Sequence, residues 1–192
     1  TFAERHPGIQ INVEDDTAYN VQQRVLQQRV DFGVTSLWEH HPNLFFEPIL
    51  HDRMGLVCRR DHPLALLERP LVWTDLTDYT IINNGTVRLL DGTSAQRVME
   101  DAHFSVSNII SLRAILRAGL GITTLPQLAL AKDDPDLCFR TLDEPSVERH
   151  IGVLSMRRQT LSPAARSLHA TILEHTGITD DTSEDADPAV GN

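Results

Sequence analysis

Lysine is nearly absent from this sequence. Lys132 is the only one, and Lys and Arg together number 17 against 27 Asp and Glu, giving a net charge of -10. The arginines are scattered, with Arg59-Arg60 and Arg157-Arg158 the densest pairs. A face that binds nucleic acid needs clustered positive charge to neutralise phosphates, so this chain is not expected to hold DNA by itself. Part of the acidity comes from the C-terminal stretch, where Asp180, Asp181, Glu184, Asp185 and Asp187 have no basic neighbours. Without that stretch the chain is only mildly acidic.

Long apolar runs are also missing, as is a secretory signal pattern, so neither a membrane span nor export is expected; a cytoplasmic protein fits. Cysteine is scarce. Cys58 and Cys138 each lie in an apolar run, the setting of buried reduced thiols rather than of a disulfide. Nine histidines are present, but none falls at metal-ligand spacing with a Cys or carboxylate set. His40 and His41 are adjacent and would face opposite ways on a strand. There is no Gly-x-Ser-x-Gly elbow and no phosphate-binding glycine motif. No metal, no cofactor and no catalysis are therefore expected.

What is there is ordinary globular material. The chain has 192 residues, 41% apolar and 23% charged, enough for one core or for two small lobes. Ile9 to Glu14 alternates apolar and polar and predicts a half-buried strand. Thr17 suits a helix N-cap, and Val21, Val25 and Leu26 share a helical face after it. Val30 to Thr35 predicts a second strand, making a crossover unit with the two strands parallel. Further strands are predicted at 45–50, 54–58, 79–82, 104–106, 137–140 and 149–156. A helix capped by Thr93 or Ser94 is expected to reach Ala102. A last helix is expected to start at Ser162-Pro163 and end at Gly177.

The stretch "LRAGLGITTLP", Leu116 to Pro126, compresses four events. Ser107-Asn108 caps a helix whose apolar set, Ile109, Leu112, Ile115, Leu116 and Leu120, falls at helical spacing. Gly119 can take the left-handed conformation that ends it. Ile122 to Leu125 predicts a buried parallel strand. Pro126 suits the start of another helix, 127–132. The alternation of elements predicts two α/β lobes, the chain leaving the first near residue 59 and returning near 149. This gives lobe I as 1–58 and 149–177, lobe II as 59–148, and a polar acidic tail, 178–192, without fixed structure.

"FAERHPGIQINVED", "VLQQRVDFGVT", "RRDHPLA", "AILRAGLGITTLP" and "LSPAARSL", in that order, resemble the effector-binding domain of LysR-type transcriptional regulators. The resemblance covers residues 2 to 176. It implies an α/β fold of two Rossmann-like lobes joined by two crossover strands, like the type 2 periplasmic binding proteins. It implies a small-molecule effector in the cleft between lobes and a homodimer or homotetramer. It implies that DNA is contacted only through an upstream winged helix-turn-helix domain outside these residues. It also implies a further strand ahead of "RHPG", followed by Ser or Thr groups that touch the effector.

The family places effectors at helix N-termini and the loops before them, where free N–H groups and the positive dipole end favour anions. The matching positions are Thr17 and Ala18, Thr35 and Ser36, Asn83-Asn84-Gly85-Thr86, and Ser107-Asn108. Hydroxyls and amides orient a small ligand without adding charge. Thr17 and Ser107 fit equally as plain caps, Thr35-Ser36 as a strand end, and 83–86 as a turn. Asp16 would repel a carboxylate and is expected to face out. A solute-binding protein of a transport system with the same fold is the competing assignment.

Overall fold

The computed structural model describes residues 2–100, 102 and 104–176. The predicted tail and the helix end at Gly177 lie outside these residues. Contacts divide the chain into two units: residues up to Leu50 with those from Ile151 onward, and His51–His150. The chain passes from one unit to the other inside a single strand each way. These are β2 (Leu44–Arg59) and β8 (Glu148–Met156). The expected pair of strands at 45–50 and 54–58 is thus one 16-residue strand, because His51, Asp52 and Arg53 stay extended and do not turn.

The first unit contains α1 (Phe2–Arg5), α2 (Ala18–Leu26), β1 (Gly33–Ser36) and α5 (Pro163–Thr176). β1 runs antiparallel to β8, with Thr35 opposite Gly152 and Ser36 opposite Ile151. α2 packs on β1 because Gly33 leaves room: a Cβ there would sit 2.5 Å from Val21 Cγ1. Val25, Leu44 and Leu154 form the core, flanked by Leu26, Val30, Leu37, Phe46 and Met156. Ser162 Oγ accepts from the Ala165 N–H at 3.1 Å and caps α5.

The predicted strand at 9–14 does not form. Residues 9–14 pair with no described strand, and Ile11 and Val13 are 44% and 84% exposed. Alternation selects a face only when a neighbour supplies ladder bonds and a surface to cover. The expected parallel partnership with 30–35 is replaced by the antiparallel β1–β8 pair.

In the second unit β2 lies between β6 (Thr123–Pro126) and β7 (Leu137–Asp143), antiparallel to both. β3 (Leu71–Val72) runs parallel to β7. Gly55 is required where β2 meets β7, since a Cβ would strike the Arg140 carbonyl and the Phe139 ring. β4 (Ile82–Asn83) and β5 (Phe104–Ser105) pair in parallel, and Ile81 makes a parallel bridge to Ile122. The strand foreseen as parallel at 122–125 therefore meets Ile81 in parallel and β2 antiparallel.

Two helices complete the unit, α3 (Gln96–Glu100) and α4 (Ile109–Arg117). α3 is shorter than the predicted helix, and residues 127–129 make a 3-10 turn where a helix to 132 was expected. Trp73, Met54, Leu56, Leu71 and Met99 anchor one apolar cluster. Leu112, Leu116, Ile82, Val57 and Leu125 make the other. Trp73 is core, its Nε1 donating to the Pro145 carbonyl at 2.9 Å.

The glycine turn of "LRAGLGITTLP" forms as expected, but Leu120 lies past the helix and is exposed, and Pro126 ends β6 instead of opening a helix. Gly119 has φ 72°. Its N–H donates to Leu116 O at 2.9 Å and the Leu120 N–H to Ile115 O at 3.3 Å, the paired bonds of a Schellman cap. Gly121 lets the chain pass the Thr80 carbonyl, which a Cβ would approach to 2.6 Å. Ile122 then bonds to Thr80 O at 2.9 Å, and Ile82 to Ile122 O at 2.8 Å.

Candidate functional site

The sequence-predicted residues fall into two groups, one in each unit. In the first unit Thr17 caps α2, its Oγ1 accepting from the Asn20 N–H at 3.3 Å. Ala18 is the first helical residue. Asp16 does not face out. Its carboxylate turns onto the helix start, accepting from the Thr17 N–H at 2.8 Å, Asn20 Nδ2 at 2.6 Å and Arg24 Nη2 at 3.0 Å. The Asn20 amide, then the Thr17 N–H and Arg24, hold this carboxyl below its ordinary value. Asp16 thus supplies the negative charge that the helix dipole attracts.

Thr35 and Ser36 end β1. Thr35 is buried and its hydroxyl donates to the Ser36 carbonyl at 3.2 Å. The residue the sequence did not single out is Gln22 on α2. It is fully buried; its Oε1 accepts from the Glu39 N–H at 3.3 Å, and its Nε2 has no partner among the described residues. A buried unpaired amide is a rare and costly feature. A glutamine on the apolar side of a helix between Val21 and Val25 was the signal that could have found it.

In the second unit Asn83 lies in β4, and its carbonyl accepts from the Val106 N–H at 2.9 Å. Asn84 is only 8% exposed. Its Nδ2 donates to Thr123 Oγ1 at 2.8 Å and to the Thr124 carbonyl at 2.9 Å. Its Oδ1 accepts from Thr86 N–H at 2.9 Å and Thr86 Oγ1 at 2.7 Å. Every donor and acceptor of this amide is engaged within the chain. Thr123 continues the network, donating to the Ile82 carbonyl at 2.6 Å. Gly85, at the top of the turn, has open space where a Cβ would be.

Asn108, not Ser107, caps α4. Its Oδ1 accepts from the Ile110 and Ser111 N–H groups at 2.9 and 3.1 Å. Ser107 is exposed beside it. The loop 84–86 leaves the carboxyl end of β4, and 107–108 leaves the carboxyl end of its parallel neighbour β5. The structure therefore gathers Asn83 to Thr86, Ser107 and Asn108 at one end of a parallel strand pair, where α/β sheets place ligands.

Two depressions of the second unit lie elsewhere. One of 350 Å³ is lined by Arg59, Asp61, His62, Tyr79 and Gly121, the other of 560 Å³ by Asp78, Tyr79, Val98 and Phe104 among others. Among the described residues no three His, Cys, Asp or Glu side chains gather as a metal site, and no helix is long and apolar enough to cross a membrane.

The model of the LysR substrate-binding domain matches residues 1–177. The chain belongs to that family. Among curated relatives, an uncharacterised HTH-type transcriptional regulator of Escherichia coli, YbhD, is 29% identical over 179 residues, covering 90% of this chain and 56% of that protein. The chain thus spans about half the length of the curated relatives it matches. Two solved LysR-type folds superimpose well. The Synechocystis CcmR regulatory domain in complex with 2-PG has a TM-score of 0.78 at 20% identity, covering 94% of this chain and 88% of that one. The QuiR effector-binding domain in complex with shikimate has a TM-score of 0.77 at 19% identity, covering 92% and 87%. These likenesses carry the two-lobed, periplasmic-binding-protein-like fold.

Proposed function

We propose that this LysR-family domain is the ligand-sensing part of a transcriptional regulator and binds a small anionic effector. The observation that carries the proposal is the pairing of loops 84–86 and 107–108 at the carboxyl ends of parallel β4 and β5, beside the N-terminus of α4. The Ile109 N–H, the Ser107 hydroxyl and the open backbone at Gly85 are the donors offered there, with the dipole of α4 behind them. Asn84 acts on the ligand through the loop: it fixes Thr86 and does not itself reach out. In the first unit Thr17, Ala18, Thr35 and Ser36 are the proposed contacts, and the unpaired Gln22 amide is a further donor.

Binding alone does not regulate; the effector must prefer one conformation over another. DNA is contacted by a separate helix-turn-helix domain of the longer protein, and the regulator works as a homodimer or homotetramer in the cytoplasm. It senses its ligand and does not turn it over. The ligands of QuiR and CcmR, shikimate and 2-PG, support starting with small hydroxylated acids. Titration calorimetry against carboxylates, phosphate esters and neutral sugars tests this. Saturable binding of an acid that weakens in Ser107→Ala supports it. Binding of neutral solutes alone, or an acid affinity untouched by changes at 85, 86 and 107, overturns it.

A further inference from the structure

β2 and β7 set Cys58 directly opposite Cys138. The Arg60 N–H donates to the Asp136 carbonyl at 2.9 Å. By the two-residue alternation of an antiparallel ladder, 58 and 138 then also form a hydrogen-bonded pair, with Cα atoms ~5.5 Å apart. That separation falls within the range disulfides span, ~4.4–6.8 Å. The two thiols are free, and their sulfurs lie 3.9 Å apart, sharing a hydrogen bond. Cys58 is buried within the apolar cluster of Met54, Leu56 and Trp73, whereas Cys138 is only half-buried at its border. Nothing in the effector-binding proposal uses either sulfur.

We propose that Cys58 and Cys138 form an oxidisable dithiol: Cys138 attacks a hydroperoxide, and Cys58 resolves the product into a cross-strand disulfide. The roles follow from the surroundings. The Cys58 hydrogen bond lowers the Cys138 thiol to about 7, against its burial and helped by Arg60 and Arg140. The same contact and burial push the Cys58 thiol up, so it holds its proton. Reactivity follows thiolate character and access, and both single out Cys138.

The chemistry balances in two steps. The Cys138 thiolate attacks one peroxide oxygen, an S–O bond forms, the O–O bond breaks, and the leaving oxygen departs as alcohol or water. Cys58 sulfur then attacks the Cys138 sulfenic sulfur; the S–S bond forms, the S–O bond breaks, and hydroxide leaves with the Cys58 proton as water. Two thiols are oxidised and one peroxide is reduced. The product ties β2, the strand that carries the chain into the second unit, to β7.

The test needs only the wild-type chain and hydrogen peroxide. Intact mass under denaturing, non-reducing conditions is expected to fall by two hydrogens, with both thiols lost and a Cys58–Cys138 linked peptide in the digest. Dithiothreitol is expected to restore both. In Cys58→Ser the reaction is expected to stop at a Cys138 sulfenic acid that dimedone captures, while in Cys138→Ser the Cys58 thiol survives the same exposure. Two thiols unchanged in the wild type, oxygen added at Cys138 with no loss of hydrogens, or linkage only between chains would each overturn the proposal.

Discussion

The Asn84 side chain reaches across to Thr123, donating from Nδ2 to Oγ1 at 2.8 Å between residues 39 apart in sequence. The same amide holds the Thr124 carbonyl and Thr86. The pair therefore ties the loop after β4 to the strand that follows the glycine turn.

Asn84→Ala removes four hydrogen bonds and leaves the buried Thr124 carbonyl with the 3.3 Å bond from Thr86 Oγ1. Losing the partner of buried polar groups costs about 2–3 kcal/mol. For a domain of this size that lowers Tm by roughly 5–10 °C. A differential scan of wild type and variant measures it. A shift below about 2 °C means the network is not the brace of this loop.

The two glycines of "LRAGLGITTLP" should differ in sensitivity. Gly119→Ala places a Cβ at φ 72°, where its nearest neighbour, Arg59 Cδ, is a comfortable 3.5 Å away. The strain of a left-handed alanine, about 1–2 kcal/mol, is the whole expected effect. Gly121→Ala puts a Cβ 2.6 Å from a backbone carbonyl that cannot move alone, and should destabilise by more, about 2–4 kcal/mol. Urea denaturation of both variants ranks them; equal or reversed order contradicts the packing described.

Gln22→Leu separates stability from function. It removes a buried N–H group without a partner and also the acceptor for Glu39 N–H. These opposing effects leave stability within about 1 kcal/mol of wild type. If Gln22 Nε2 serves the effector, affinity should drop roughly tenfold, about 1.4 kcal/mol. Chemical denaturation and calorimetry on the same sample read both. Unchanged affinity removes Gln22 from the site.

Acid should weaken the fold in two stages. Burial lowers the His62 imidazole, opposed by Asp61, and its Nδ1 accepts from the Leu64 N–H at 3.2 Å. The unfolded chain binds this proton first, so stability falls as pH drops below 6.5 toward the folded value. Asp134 behaves as a carboxylate. Burial pushes it up, but the Leu137 and Asp136 N–H groups and Arg117 together hold it below 3.8. Its contribution is full above 3.8 and is lost as pH falls through the lower folded value. Tm measured from pH 8 to pH 3 should show His62→Gln flattening the first limb only. An unchanged first limb would assign it to other histidines.

Local chemistry was legible where neighbours in sequence settle the outcome. Gly119 ends α4, Thr17 and Ser162 cap their helices, and Leu112 and Leu116 turn inward as their spacing requires. Pairing was not legible. The alternation at 9–14 found no partner strand, and β1 took β8 rather than a parallel neighbour. The candidate site was legible by position more than by role: Asn84 looked available and is fully engaged, and Gln22, which the sequence reading did not single out, is buried.

The sequence by itself determined the helix caps, the glycine turn, the family and the poverty of positive charge, because each rests on residue type and short spacing. Only the tertiary structure decided which strands pair, which polar side chains are already satisfied, and that two cysteines 80 residues apart face each other at 3.9 Å. Hydrogen-bond ladders and burial are contracts between distant segments, and no stretch of chain carries both sides of one.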